Sequence, residues 1–178
     1  MPIPQKIIKF LEKSEIKYEP IKHRTVYTAQ DKAATLKVKP KIVGKTLVVK
    51  LDKNPALVLI PANKNLDKEK LLKVANKCRN SHGRIRIAEA RRAKARYSHA
   101  DFAKESWMKK KLKGIKIGAT PPFGIIWKLP TFIDASLIKE PKIVINSGDY
   151  NWSFKIRGSF LKKIIPDLAV GNFAKIKK

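Results

Sequence analysis

Hydrophobic residues recur at helical spacing in several parts of the chain. Residues 3–17 carry apolar side chains four positions apart, such as Ile7 and Leu11, so they predict an amphipathic helix. Thr28 precedes a short alanine-rich segment, where its hydroxyl is expected to cap the N-terminus of a second helix. Two further helices are predicted, one opening at Leu66-Asp67 and one over residues 160–165.

Other parts of the chain have the composition of strands. The apolar runs 45–49 and 56–60 flank the turn-forming residues 52–55, which predicts a hairpin or a pair of neighbouring strands. Further extended segments are predicted at 18–21, 125–127, 131–133, 142–145 and 152–156. Together these elements predict an α+β fold, a mixed β-sheet or open barrel surrounded by helices, in a single domain over residues 1–178.

Charge adds a class of partner to this picture. The protein has 41 Lys and Arg residues against 14 Asp and Glu residues, a formal net charge of +27. A polyanion is the expected partner, with nucleic acid first and an anionic membrane surface second. No apolar run reaches the roughly 18–20 residues that cross a bilayer, and the N-terminus lacks the pattern of a signal peptide. We therefore expect a soluble, cytoplasmic protein. The alternative explanation of the charge, which needs no partner, is that the excess of lysine reflects the proteome of the source organism.

Part of this charge is concentrated in one segment. Residues 84–116 contain 12 Lys and Arg residues and three acidic residues. Strong helix formers with little apolar surface predict a solvated basic helix or a mobile loop here. A second lysine-rich stretch, predicted as a tail, follows residue 165. The candidate nucleic-acid contacts are Arg91, Arg92, Lys94 and Arg96.

Signatures of covalent or metal-dependent catalysis are absent from the sequence. There is no GxSxG, HExxH, CxxC or GxxxxGK[ST] motif. Cys78 is the only cysteine, so an intrachain disulfide is excluded. Cys78, His82 and His99 have irregular spacing for a zinc site, and we predict neither a metal nor a cofactor.

Three features remain as candidates for function, each with a structural alternative. Lys45 begins an apolar strand after a glycine, where a partly desolvated ammonium group can bind a phosphate or polarise an ester carbonyl; the alternative is a strand-end lysine in water. The loop 118–124 holds two glycines and two prolines, which suit either a ligand site or a tight connection. Asp134 can orient a basic group or cap a turn.

The order of these motifs resembles the YbaK/aminoacyl-tRNA deacylase family, which includes the editing domain inserted into bacterial prolyl-tRNA synthetases. The similarity covers most of residues 3–165. The motifs that carry it are His23 with Tyr27-Thr28-Ala29 and Ala33, residues 42–49 (IVGKTLVV), residues 56–61 (ALVLIP), residues 118–124 (GATPPFG), residues 132–137 (FIDASL) and Asn146-Ser147-Gly148.

This resemblance implies a reaction and a set of site residues. The family hydrolyses the ester between a wrong amino acid and tRNA, with water as the attacking group, assisted by a hydroxyl of the substrate's ribose, and without metal or cofactor. By position, Lys45 is similar to the family's essential lysine. The implied substrate-binding residues are Gly118, Ala119, Thr120, Pro121, Pro122, Tyr27, Asp134, Ser147 and Gly148.

The expected function is therefore trans-editing of mischarged tRNA, with a small amino acid such as alanine or cysteine on tRNA-Pro. Aminoacylated tRNA is the expected partner, and an aminoacyl-tRNA synthetase is a second candidate partner. Two features depart from the family pattern: the basic segment 84–116, an added RNA-binding arm or a divergent lid, and the aromatic residues Tyr150 and Trp152, which suit base stacking or a core. The alternative functions are a non-catalytic RNA-binding module of the same fold and a regulator that docks on a synthetase or ribosome.

Overall fold

The computed structural model describes residues 3–80 and 96–176. Short helices surround the sheets, and two 3₁₀ turns lie at Pro40–Ile42 and Gly124–Trp127. The helices are α1 (Gln5–Lys13), α2 (Ala29–Thr35), α3 (Lys68–Asn80), α4 (Glu105–Lys111), α5 (Ala135–Lys139) and α6 (Phe160–Ile164).

The strands form three sheets. The largest has the order β5-β2-β3-β6-β9, with antiparallel pairing among β5, β2 and β3 and parallel pairing among β3, β6 and β9. An antiparallel sheet has the order β1-β8-β7, and β10 pairs with β4. The strands are β1 (Tyr18–Lys22), β2 (Gly44–Leu51), β3 (Asn54–Pro61), β4 (Lys64–Leu66), β5 (Ala100–Phe102), β6 (Thr131–Asp134), β7 (Ile143–Asn146), β8 (Trp152–Ile156), β9 (Leu168–Gly171) and β10 (Ala174–Ile176).

The core lies on both faces of β3. Residues Ala56–Ile60 are fully buried because hydrophobic side chains cover the central strand from both sides. On one face Leu71 and Ala75 of α3 pack against Val58 and Ile60. On the other face, α1, α5, α6 and the three-stranded sheet form a second cluster that includes Leu59.

The predicted α+β class is confirmed, and most of the predicted elements occur. The hairpin is β2 and β3, and the Thr28 hydroxyl accepts a hydrogen bond from the Asp31 N–H at 3.0 Å, as its place before α2 predicts. The strand predicted at 125–127 is wrong, because the segment Gly124–Trp127 forms a 3₁₀ turn.

Both lysine-rich regions contain strands that their composition did not predict, and the first also contains a basic helix, one of the two alternatives predicted for it. Residues 100–102 form the edge strand β5 beside β2, and residues 105–111 form α4. The predicted lysine-rich tail includes β9, which pairs with β6, and β10, which pairs with β4. Among the described residues, no helix has the length and apolar character needed to cross a membrane.

Candidate active site

Two loops that contain glycines in the left-handed region meet beside the end of β7. Gly118 has a φ of +84° and Gly148 a φ of +99°, which are backbone conformations that residues with a Cβ atom rarely adopt. The Gly148 N–H donates to the Ala119 carbonyl at 2.9 Å, and the Lys116 N–H donates to the Gly148 carbonyl at 2.9 Å. The loop 118–122 and the turn after β7 are thus held together, although they are far apart in sequence.

Asn146, the last residue of β7, ties these loops together through its side chain. Its Nδ2 group donates to the Gly118 carbonyl at 3.2 Å and to the Thr120 carbonyl at 3.3 Å. Residues 119–122 of this loop are buried, so their backbone is held in place by packing as well. The sequence identified Asn146 as part of a motif but assigned it no role.

Lys32 is the site residue that sequence reasoning missed. It lies on α2, its side chain is 5% exposed, and its Nζ donates to Asn146 Oδ1 at 2.5 Å. Burial lowers the pKa of the Lys32 ammonium group to about 8. The spacing of apolar residues indicated this burial. Ala29 lies three residues before Lys32 and Leu36 four residues after it, and both pack into one apolar cluster. A lysine on the buried face of an amphipathic helix is unusual.

The segments that contain Lys45 and Asn146 meet at a single parallel bridge. Val43 forms a parallel bridge with Val144, and two residues further along each chain are Lys45 and Asn146. Side chains alternate between the faces of a strand, so Lys45 shares the face of Val43, and Asn146 that of Val144. Lys45 is half-buried there. Lys45, the lysine predicted from the sequence, therefore lies on a segment that meets β7, the strand that ends at Asn146.

Thr46, the neighbour of Lys45, has its side chain on the opposite face of β2. The Thr46 hydroxyl is buried and has no hydrogen-bond partner among the described residues. Buried hydroxyl groups are nearly always hydrogen-bonded, so the Thr46 hydroxyl is an exception within residues 3–80 and 96–176.

An aromatic pair borders the glycine loop. Tyr27 is 70% exposed, and its ring meets the ring of Tyr150 edge-on at a centroid distance of 4.9 Å. The Tyr150 hydroxyl donates to the Ile117 carbonyl at 2.6 Å. Lys116 Nζ lies 5.2 Å from the centre of the Tyr150 ring and 2.8 Å from Asp149 Oδ2. Tyr150, which the family pattern left unassigned, thus supports Tyr27 at the edge of the site.

The buried polar residues behind this pair fix the turn after β7. His23 Nε2 lies 2.9 Å from the Ser153 hydroxyl oxygen, and the Ser147 hydroxyl donates to the Trp152 carbonyl at 2.8 Å. Burial lowers the pKa of His23, and the positive charge of Lys32 lowers it further. Ser147 thus has a partner within the protein, and its role as a substrate contact remains a prediction.

Asp134 lies in a different hydrogen-bond network. Its Oδ1 accepts from the N–H and the hydroxyl of Ser136, at the start of α5. Its Oδ2 accepts from the N–H groups of Phe173 at 3.1 Å and Ala174 at 2.9 Å. In the described part of the chain, no hydrogen bond joins Asp134 to the glycine loop or to Asn146.

The sequence matches the family model of the aminoacyl-tRNA editing domain in two overlapping segments, residues 23–96 and 80–164. The chain belongs to this family. The resemblance predicted from the motifs is thereby confirmed, and an editing role follows from it at the level of the family. No curated protein matches the sequence.

Solved structures agree with this editing-domain fold. The hypothetical protein APE2540 superposes with a TM-score of 0.76 at 16% identity, over 96% of this chain and 99% of that one. A "putative trans-editing enzyme for prolyl tRNA synthetase" superposes with a TM-score of 0.73 at 18% identity, over 98% of each chain. At these identities, the similarity shows a shared fold.

The basic segment of this editing-domain protein reaches the site at its C-terminal end. Arg96 is exposed, while Arg91, Arg92 and Lys94 lie outside the described residues. After β5, no side chain of α4 is fully buried, although Trp107 and Met108 pack against the cluster of Val48 and Leu57, and the helix carries three consecutive lysines, 109–111, in its last turn. Leu112 then anchors the chain beside Val48 and Leu57, and Lys116 lies next to the glycine loop.

The structure also bears on the zinc alternative. No group of three or more His, Cys, Asp or Glu side chains with metal-site geometry occurs within residues 3–80 and 96–176. His82, one of the three residues of that alternative, lies outside the described residues.

Proposed function

We propose that this editing-domain protein is an aminoacyl-tRNA deacylase that acts in trans on mischarged tRNA. The substrate proposed is tRNA-Pro that carries a small wrong amino acid, such as alanine or cysteine. Membership of the editing-domain family supports the reaction class. The full-length structural similarity to a protein described as a trans-editing enzyme for prolyl tRNA synthetase supports a free-standing role and the choice of tRNA.

The observation that carries the proposal is the meeting of loop 118–122 with Asn146, close to the segment that contains Lys45. Asn146 is hydrogen-bonded to the loop, and the bridge between Val43 and Val144, two residues before Lys45 and Asn146 respectively, supports a position of Lys45 near it. In an ester hydrolysis, water attacks the carbonyl carbon, negative charge develops on the carbonyl oxygen, and the ribose oxygen leaves with a proton. A fixed ammonium group near that oxygen lowers the barrier, because it stabilises charge that develops only in the transition state. We assign this role to Lys45.

The amino acid side chain is proposed to bind against the buried loop 118–122. The prolines Pro121 and Pro122 restrict its backbone, and the Asn146 carboxamide and the Gly148 N–H hold it from the other side. A rigid pocket of limited size admits a small wrong amino acid and excludes a larger correct one by steric contact. Selection of this kind does not require a side-chain nucleophile.

The tRNA itself is proposed to bind over the positive surface that leads to the site. Lysines 109–111 of α4 and Lys116 form a path of positive charge toward the exposed ring of Tyr27. Contacts between lysines and phosphates give affinity that depends strongly on salt and weakly on sequence. An exposed tyrosine at the end of this path is a suitable surface for stacking the terminal base.

A panel of aminoacyl-tRNAs tests the proposal. Single-turnover hydrolysis is measured for alanine and cysteine on tRNA-Pro, together with correctly charged prolyl-tRNA-Pro as the matched control. Hydrolysis of a small mischarged amino acid, with the correct one spared, would support the proposal. The net charge of +27 favours a non-catalytic RNA-binding module as the second candidate. Tight, salt-sensitive tRNA binding without any hydrolysis across the panel would establish that candidate instead.

A further inference from the structure

The ammonium group of Lys32 is buried, and no described residue provides a counter-ion for it. Within residues 3–80 and 96–176, no carboxylate lies within salt-bridge distance of Lys32. Its neighbour Asp31 is exposed and accepts a hydrogen bond from the Thr28 hydroxyl. An unpaired charge at such a position opposes folding, and a methionine would fill similar space without that penalty. A residue of this kind is a good candidate for a role in the site itself.

The Asn146 carboxamide depends on the protonation of Lys32 for its orientation. An ammonium group can only donate hydrogen bonds, so it requires the amide oxygen, Oδ1, to face it. The Nδ2 group then faces the loop and donates to the carbonyls of Gly118 and Thr120. A neutral amine can also accept, and its hydrogen bond to Oδ1 lacks the charge of the ammonium group, so loss of the proton weakens the contact that holds the amide in this orientation.

We propose that Lys32 is a positioning residue of the editing site: its ammonium group fixes the Asn146 carboxamide in the one orientation that holds the Gly118 and Thr120 carbonyls and thereby shapes the aminoacyl pocket. This inference rests on the proposed deacylase function and deepens it. Lys32 acts through Asn146, whereas Lys45 is the residue assigned to the reacting ester.

The charges around Lys32 place its proton loss in an accessible pH range. Burial lowers the pKa of Lys32 to about 8. His23, which directly follows β1, is close enough to Lys32 for the positive charge of Lys32 to lower the pKa of His23. Asp149, after β7, is paired with Lys116, so its charge is already compensated. Lys32 therefore changes charge at a pH where the protein can still be assayed.

The test is the pH profile of the wild type, Lys32→Met and Lys39→Met in single-turnover deacylation, with uncatalysed hydrolysis subtracted. In the wild type, we expect the rate constant to fall at least tenfold as pH rises through about 8. In Lys32→Met, we expect a rate at least tenfold lower at neutral pH and no inflection near 8. Lys39 is exposed at the turn after α2, so Lys39→Met removes the same charge and should retain the wild-type inflection.

Asn146→Asp gives a second test that does not depend on the folding of Lys32→Met. Its carboxylate remains a partner for the ammonium group but cannot donate to the carbonyls of Gly118 and Thr120, so we expect the deacylation rate at neutral pH to fall at least tenfold even with Lys32 in place. Overlapping pH profiles for active wild type and folded Lys32→Met would overturn the inference and leave the deacylase function standing. A wild-type rate in folded Asn146→Asp would also overturn it. A wild type that hydrolyses no aminoacyl-tRNA would overturn both proposals.

Discussion

The Lys32 ammonium group donates a hydrogen bond to the Asn146 carboxamide oxygen at 2.5 Å, joining residues that are 114 positions apart in the chain. This contact connects α2 to the end of β7 and, through the Asn146 Nδ2 group, to the carbonyls of Gly118 and Thr120. A buried cation thus supports the loop that the proposed reaction needs. The arrangement has a cost in stability that can be measured.

Lys32 is expected to make the protein less stable at neutral pH. The pKa of Lys32 is about 8 in the folded chain against the ordinary 10.5, so the unfolded chain holds this proton more tightly. Stability from this group therefore rises as pH increases from about 8 to about 10.5, and the full penalty, about 3 kcal/mol, is present below pH 8. Lys32→Met removes this penalty and so increases the free energy of unfolding. Part of this gain is offset because the Asn146 carboxamide oxygen loses its hydrogen-bond partner.

Urea unfolding at about pH 7 and about pH 9.5 measures this effect. We expect Lys32→Met to be more stable than the wild type by about 1–3 kcal/mol at pH 7, with the difference shrinking at the higher pH. Lys39→Met, which removes an exposed lysine, should change stability by less than about 0.5 kcal/mol at either pH. Loss of stability at pH 7 in Lys32→Met would contradict the account of a buried, uncompensated charge.

Gly148 is expected to be less tolerant of a side chain than Gly114, although both have positive φ. A Cβ on Gly148 would lie 3.0 Å from Ile115 and 3.1 Å from Pro4, whereas the nearest atoms to a Cβ on Gly114 belong to Lys6, at 3.9 Å. Gly114→Ala should therefore cost only the backbone strain, about 1 kcal/mol, and Gly148→Ala about 2–4 kcal/mol. Thermal unfolding of the two variants measures the difference. Equal losses would show that the contacts with Ile115 and Pro4 are easily relieved.

Asp134→Asn is expected to reduce the stability of the protein and to have little effect on substrate binding. Asp134→Asn replaces Oδ2, or Oδ1 if the amide turns, with a group that cannot accept, so buried N–H groups of Phe173 and Ala174 or of Ser136 lose a partner. A loss of about 2–4 kcal/mol is expected from urea unfolding. Deacylation below the unfolding transition should be within about threefold of the wild type. A large rise in KM in a fully stable variant would instead support the substrate contact implied by the family resemblance.

Much of the fold was predictable because local signals and tertiary packing agree. The Thr28 cap, the β2–β3 hairpin and the strand Trp152–Ile156 occur where residue type and periodicity placed them. The family resemblance identified the glycine loop and Asn146-Ser147-Gly148, which lie together in the structure. The prediction of a strand at 125–127 was wrong because an apolar run this short is compatible with a turn as well as with a strand.

The missed features depend on contacts between distant parts of the chain. The strand Ala100–Phe102 has two exposed residues, and its place at the sheet edge follows from pairing with β2. Any helix-forming residue is compatible with α2 at the position of Lys32, and the hydrogen-bond partner of Lys32 comes from β7. Neither the pairing nor the partner can be read from residues adjacent in sequence.

The basic segment is expected to contribute tRNA affinity rather than catalysis. Replacing Arg91, Arg92, Lys94 and Arg96 with glutamine should weaken tRNA binding and reduce the slope of log affinity against log salt by roughly one unit for each phosphate that is no longer neutralised. Replacing lysines 109–111 with glutamine tests a described part of the same basic segment of the sequence. Binding titrations at several salt concentrations measure both slopes. A slope unchanged in both variants would place the tRNA on another face of the protein.

The central claim is that Lys45 stabilises the reacting ester, and single-turnover deacylation of Ala-tRNA-Pro and Cys-tRNA-Pro by Lys45→Ala and Lys50→Ala tests it most directly. Lys50 is a half-buried lysine of the same strand, on the opposite face to Lys45, and serves as the matched control. We predict that Lys45→Ala remains folded and loses on the order of 10²-fold or more in rate, whereas Lys50→Ala stays within about threefold of the wild type. A folded Lys45→Ala variant with wild-type rates would contradict the account.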